Sequence, residues 1–98
     1  MPTIKIGPHK IPVNFYTDPH VDEQPVFGFY ADFPQEIGLD RELKDKPTQL
    51  TATVLHEALE AINVIYSANL DHDQITLLGS TLAALLIENR FVRSVLPD

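Results

Sequence analysis

The placement of proline constrains the fold of this chain more than any other feature of its sequence. Seven of the eight prolines lie within residues 1–47, and none lies within residues 48–90. Because proline disrupts helix interiors, a long helix is expected only in the second segment. The first segment should form short strands separated by turns, which predicts an α+β fold. At 98 residues, the chain has the size of a single domain.

Four short apolar runs in the first segment predict a small antiparallel sheet of three to four strands. Each run ends at glycine, at proline or at a polar turn. The runs are centred on Ile4, Val13, Phe29 and Ile37. Pro12 favours an edge position for the second strand, because proline has no N–H to donate to a neighbouring strand. Residues 20–25 are expected to form an exposed loop.

The proline-free segment predicts a two-helix antiparallel hairpin on which the sheet packs. Apolar residues recur at helical spacing through residues 48–68, which predicts the first helix. Asp71 and Gln74 resemble a capping box at the start of the second helix, and the short link makes the two helices neighbours. Residues 91–98 are expected to form a tail. One face of the second helix is predicted to consist of Ile75, Leu78, Leu82, Leu85 and Asn89.

Charge and composition exclude several classes of protein. Fourteen acidic residues against seven Lys and Arg give a net charge of −7, so nucleic-acid binding is not expected. The absence of Cys excludes disulfide scaffolds, Cys-ligated zinc fingers and thiol catalysis. No apolar run approaches the ~18 residues of a membrane span, and residues 1–5 lack signal-peptide features. We therefore expect a cytoplasmic protein without a membrane partner, and the oligomeric state stays open.

The first predicted helix carries a metal-binding pattern, H-E-x-x-E, at His56, Glu57 and Glu60. His56 and Glu60 are four residues apart and lie one turn apart on one face, where both can ligate one metal ion. Glu57 corresponds to the glutamate that polarises metal-bound water in zinc hydrolases with H-E-x-x-H. Asn63 and Ser67 extend the polar face. The alternative interpretation is an exposed His56–Glu60 ion pair without a metal.

Residues 53–90 resemble a small family of phage and prophage proteins related to minigluzincin-like zinc metallopeptidases. The resemblance rests on the L-H-E-x-x-E run from Leu55, the leucine-rich second helix and the Glu88-Asn89 pair at its end. The family pattern also begins with a short sheet, which matches the first segment. The resemblance implies a metal-dependent hydrolase ancestry.

The resemblance also implies roles for individual residues. By position, His56 and Glu60 match metal ligands, and Glu57 matches the catalytic general base. The usual third ligand is a carboxylate on the second helix, but residues 75–87 contain no acid, and His72 is the best substitute. Helix geometry leaves a second interpretation open, because a straight first helix would place its end about 10 Å beyond Glu60. In that case, His72 is only a helix-start residue.

The leading hypothesis is a phage-type metallopeptidase-like protein that acts on a peptide or protein substrate. Zn²⁺ is the expected cofactor, with Mn²⁺ or Fe²⁺ as alternatives, because two histidines and one carboxylate do not select a single metal. The alternative hypothesis is a non-catalytic phage protein that binds a host protein. Its metal site would be degenerate or purely structural.

Overall fold

The strands occupy the proline-rich segment and the helices follow it, which confirms the predicted α+β fold. The computed structural model describes residues 2–97. The strands are β1 (Thr3–Ile6), β2 (His9–Tyr16), β3 (His20–Val21), β4 (Gln24–Pro25), β5 (Gly28–Asp32) and β6 (Gln35–Asp40). A short 3₁₀ helix (Arg41–Asp45) leads to the helices α1 (Pro47–Tyr66), α2 (His72–Glu88) and α3 (Arg90–Ser94).

The main sheet has four strands in the order β1-β2-β6-β5. It is mixed rather than wholly antiparallel as expected, because β2 and β6 run parallel from Val13↔Ile37 to Tyr16↔Asp40. The other neighbouring strands are antiparallel. After β2 the chain returns through β5 at the sheet edge, and β6 fills the position between them. The intervening residues form a separate two-stranded hairpin of β3 and β4, within the predicted exposed loop.

Pro12 does not place β2 at an edge, and this expectation was wrong. The residues of β2 up to Pro12 pair with β1, and the pairing with β6 begins one residue later, at Val13. The N–H of Val13 donates to the carbonyl of Pro2, on the β1 side. Since successive residues of a strand point their N–H groups in opposite directions, the missing donor of Pro12 faces the β6 side, before that pairing starts. An interior strand therefore accepts this proline.

Helix α1 lies between the sheet and α2. The core between α1 and the sheet consists of Ile11, Val13, Ile37, Leu39 and Ala61, with Leu50, Val54 and Ile65 packed against it. Helix α2 packs chiefly against the other side of α1 and against α3. Within residues 2–97, none of the helices has the length and apolar character needed to cross a bilayer.

The buried face of α2 differs from the predicted one. Its buried residues are Ile75, Gly79 and Ala83, whereas Leu78, Leu82 and Leu85 are more than one third exposed. Of the predicted face, only Ile75 is buried. Close packing of α2 on a single neighbouring helix instead selects the small residues, which let the two backbones approach.

The helix ends follow recognisable signals. Helix α1 ends at Tyr66 rather than at residue 68, because Ser67 adopts a left-handed conformation with φ of 50°. The predicted capping box of α2 is present, with the Gln74 N–H donating to Asp71 Oδ1 over 2.8 Å and the Asp71 N–H donating to Gln74 Oε1 over 2.9 Å. The expected tail contains the short helix α3.

Candidate metal centre

His56 and Glu60 face the same way on α1, as their spacing predicts. Nε2 of His56 lies 3.8 Å from Oε1 of Glu60, and both side chains are partly exposed. The two side chains are therefore close enough to bind one metal ion together, and they are exposed enough for an ion to reach them.

The connection between α1 and α2 folds back and brings His72 to this pair. Nδ2 of Asn63 donates to the carbonyl oxygen of Leu70 over 3.0 Å, and the Leu70 N–H donates to Oδ1 of Asn63 over 2.8 Å. Ser67 and Asn69 have positive φ angles of 50° and 60°, which reverse the chain within a few residues. Asn63 thus anchors the link two residues before His72.

His56, Glu60 and His72 form one group of potential metal ligands. One nitrogen or oxygen atom from each lies within 4.8 Å of the others, and the two imidazole rings meet edge to face with centroids 5.5 Å apart. His72 is also the first residue of α2, so it lies both at the helix start and beside the His56–Glu60 pair. Metal binding by the group stays a prediction.

The donor set fits a divalent transition metal. Two nitrogens and one carboxylate oxygen are ordinary zinc ligands, and two ligand atoms about 2.1 Å from a tetrahedral metal lie about 3.4 Å apart. Side-chain rotation that shortens the present separations of up to 4.8 Å would close the cluster on an ion. Three protein ligands leave a coordination position for water, as in catalytic rather than structural zinc sites.

The electrostatics around His56 favour the form that binds metal. Burial lowers the pKa of His56 below 6.5, the neighbouring Glu60 carboxylate opposes this shift, and His72 adds to it. A metal binds the neutral imidazole, so a lowered pKa reduces the competition from protons near neutral pH.

Glu57 follows His56 directly on α1 and is buried, with 7% of its surface exposed. Burial raises the pKa of Glu57 from 4.5 to about 7, with a further contribution from the negative charge of Glu60. A carboxyl group with this pKa exchanges a proton readily near neutral pH, which is what general acid–base catalysis requires.

Glu57 and His56 line one cleft of about 380 Å³. The chain from Pro25 to Gly28 forms one wall, and side chains of α1 and α2 form the other, including Thr76 and Ser80 of α2. The cleft passes the start of β5, which is an edge strand of the sheet. The cleft is therefore bordered by a buried carboxyl group, a potential metal ligand and the edge of the sheet.

Two glycines that the sequence interpretation did not single out hold α1 at this site. A Cβ at Gly28 would lie 3.2 Å from Cγ of Glu57, and a Cβ at Gly79 would lie 3.2 Å from Cα of His56. Gly28 thus allows the sheet to approach Glu57, and Gly79 allows α2 to approach His56. Their position inside a strand and a helix was the available signal, because such glycines often mark a close backbone approach.

The two remaining histidines lie outside this group. Nδ1 of His9 is 3.3 Å from Oε1 of Gln35, the first residue of β6, and Nδ1 of His20 is 2.8 Å from the carbonyl oxygen of Asp18.

Comparison of the chain with protein-family models, with curated proteins and with solved structures finds no match.

Proposed function

We propose that this protein is a metal-dependent hydrolase that cleaves peptide bonds. The observation that carries the proposal is the meeting of His56, Glu60 and His72 within 4.8 Å, beside a cleft that Glu57 also lines. Glu57 stands directly after His56 and three residues before Glu60, the place of the general base in the H-E-x-x-H helix of zinc hydrolases, with Glu60 in place of the second histidine.

The residues of the chain divide the chemistry between them. His56, Glu60 and His72 would hold the ion, which when bound supplies a Lewis acid and lowers the pKa of a coordinated water. Glu57 would accept the proton of the attacking water at its carboxylate and donate it to the leaving amine. Its pKa of about 7 suits both directions of this transfer.

A peptide is the favoured substrate because of what surrounds Glu57. Beside the cleft, the edge strand β5 has main-chain groups on its outer side that can bind an extended chain by strand addition. The opposite wall includes the small residues Ala52, Thr53, Thr76 and Ser80, which leave room for a substrate side chain.

The first test is the metal content of protein purified without an affinity tag. After reconstitution with zinc at neutral pH and removal of excess metal, we expect about one equivalent per chain by elemental analysis. Less than about a tenth of an equivalent would overturn the metal site. Manganese and iron are tested in parallel, because this donor set accepts all three.

The second test compares Glu57→Gln with the wild type on a library of quenched fluorescent peptides. The variant should retain its metal and its circular dichroism spectrum but lose about 10²-fold or more in hydrolysis, as expected for a missing general base. Glu23→Gln, at an exposed turn, is the matched control. Unchanged hydrolysis by Glu57→Gln would refute its role. A zinc-loaded wild type that cleaves no peptide would refute the hydrolase and favour a binding protein with a structural metal.

A further inference from the structure

The C-terminal part of the chain exposes an unusual amount of apolar surface. Of the fourteen large hydrophobic residues that are exposed within residues 2–97, eight lie within residues 77–96, and Phe91 alone is 76% exposed. Six of these eight residues form what we call the α2–α3 surface: Leu78, Leu82, Leu85, Phe91, Val95 and Leu96.

The position of α2 in the fold explains this exposure. Helix α2 packs mainly on α1 through the narrow stripe Ile75, Gly79 and Ala83. Leu78, Leu82 and Leu85 follow one another by four and three residues, so they form a second stripe beside the buried one. Arg93 of α3 donates to the carbonyls of Leu86 and Ile87, which holds α3 against the end of α2.

The leucine stripe of α2 can be buried at little electrostatic cost. Residues 74–87 contain no charged side chain, although the whole chain carries a net charge of −7. The hydroxyls of Ser80 and Thr81 already donate to carbonyls of their own helix, over 3.0 and 2.7 Å. Burial of residues 74–87 therefore leaves no charge without a partner, and the hydroxyls of Ser80 and Thr81 keep their hydrogen bonds. The charged side chains of Glu88, Arg90 and Arg93 lie at the end of α2 and on α3.

We propose that a second copy of this chain covers the α2–α3 surface, in a dimer with twofold symmetry. Two copies of a strongly acidic protein meet with the least local repulsion through a face without charges, and residues 74–87 of α2 supply one. From their exposed fractions, the six side chains offer roughly 550 Å² per copy; their complete burial in both copies would cover about 1,100 Å², just above the ~1,000 Å² expected of a specific interface.

This interface leaves the candidate metal centre accessible. Leu78 and Leu82 each lie two residues from Ser80, which lines the cleft, and two residues correspond to about 200° around a helix. The dimer and the proposed hydrolase activity are therefore independent, and each can fail without the other.

The test measures the mass in solution by light scattering after gel filtration, and the dissociation constant by sedimentation equilibrium. We expect the wild type to have twice the 11.0 kDa of one chain. Leu82→Glu, at the centre of the leucine stripe, should weaken association by about 30-fold or more, as expected for a central interface residue. Leu85→Glu is a second variant on the same face, and Val21→Glu makes the same change at an exposed residue of β3 and should stay dimeric.

A mixing experiment separates loss of the interface from loss of the fold. Leu82→Lys should also be monomeric. The proposal places the twofold axis at the middle of the leucine stripe, near Leu82, so an equal mixture of Leu82→Lys and Leu82→Glu should associate again through the opposite charges. All variants should bind zinc as the wild type does. A wild type that stays monomeric at high micromolar concentration, variants that dimerise unchanged, or a mixture that does not associate would each overturn the proposed dimer.

Discussion

At Glu57, the stability of the fold conflicts with the proposed chemistry, because the chemistry needs a buried carboxyl group that the fold would otherwise avoid. A carboxyl group with 7% exposure is normally avoided in a small core, since its charged form loses hydration. Here burial holds its pKa at about 7, so the carboxyl group is partly protonated at neutral pH. A catalytic group is expected to carry such a cost, because the function rather than the stability selects it.

This conflict predicts a pH-dependent stability difference between the metal-free wild type and Glu57→Gln. Because the pKa rises from 4.5 in the unfolded chain to about 7 in the folded one, the folded state binds the proton more tightly. Its stabilising contribution is therefore full below about pH 4.5 and is lost as the pH rises through about 7. Glu57→Gln should exceed the wild type in free energy of unfolding by about 2–3 kcal/mol near pH 8, and by little near pH 4.5.

Urea unfolding at both pH values measures this difference. The lowered pKa of His56 acts in the opposite direction, because it costs stability as the pH falls below 6.5, but it is present in both proteins and largely cancels. Equal stability of the two proteins near pH 8 would show that Glu57 ionises without penalty.

Among the secondary-structure elements, the link between α1 and α2 determines whether His72 lies close to His56. Asn63 satisfies both backbone groups of Leu70. Asn63→Leu should therefore lower the free energy of unfolding by about 1–3 kcal/mol, the cost of leaving such groups without partners. Because His72 would lose its fixed position, zinc affinity should fall by about 10- to 100-fold, as for other groups that orient a metal ligand.

Asn14→Leu provides the matched control for this prediction. Nδ2 of Asn14 donates to Oε2 of Glu36 over 2.8 Å on the sheet, away from the cluster. This change should lower stability but leave zinc affinity, measured by calorimetric titration, as in the wild type. An Asn63→Leu protein that binds zinc normally would show that the link does not position His72.

The contact between α1 and α2 at Gly79 gives a second prediction at this scale. A Cβ there would lie 3.2 to 3.4 Å from the backbone and Cβ of His56, so Gly79→Val should push the helices apart. We expect a loss of about 1–3 kcal/mol, typical of overpacking, together with weaker zinc binding. Thr81→Val, at an exposed position of α2, controls for the helix propensity of valine, and equal thermal stability of the two variants would contradict the prediction.

The elements could be predicted from the sequence where the signal is local. Proline placement, the Asp71–Gln74 capping box and the spacing of His56 and Glu60 each act within a few residues. The parallel pairing of β2 with β6 could not be predicted, because it depends on which strand fills the gap beside β2. The place of His72 likewise depends on the Asn63–Leu70 hydrogen bonds, which no residue spacing reveals.

In the molecule as a whole, the candidate metal centre lies at the boundary between α1 and α2. It is outside the core between α1 and the sheet. The two candidate ligands on α1 and the one at the start of α2 belong to different layers. A metal ion bound there would connect α2 to the rest of the protein more firmly than the narrow stripe of Ile75, Gly79 and Ala83 does alone. Metal binding is therefore expected to be linked to global stability.

This linkage predicts that zinc stabilises the folded protein and that the effect requires His72. A ligand that binds only the folded state stabilises it by about 4 kcal/mol at 1,000 times its dissociation constant. Thermal unfolding with and without zinc should show a corresponding rise in melting temperature, which a chelator reverses. His72→Ala should lose most of this rise, whereas His20→Ala, on the exposed hairpin strand β3, should keep it. If zinc raises the melting temperature of His72→Ala and of the wild type equally, the ion binds elsewhere, and α1 and α2 do not share it.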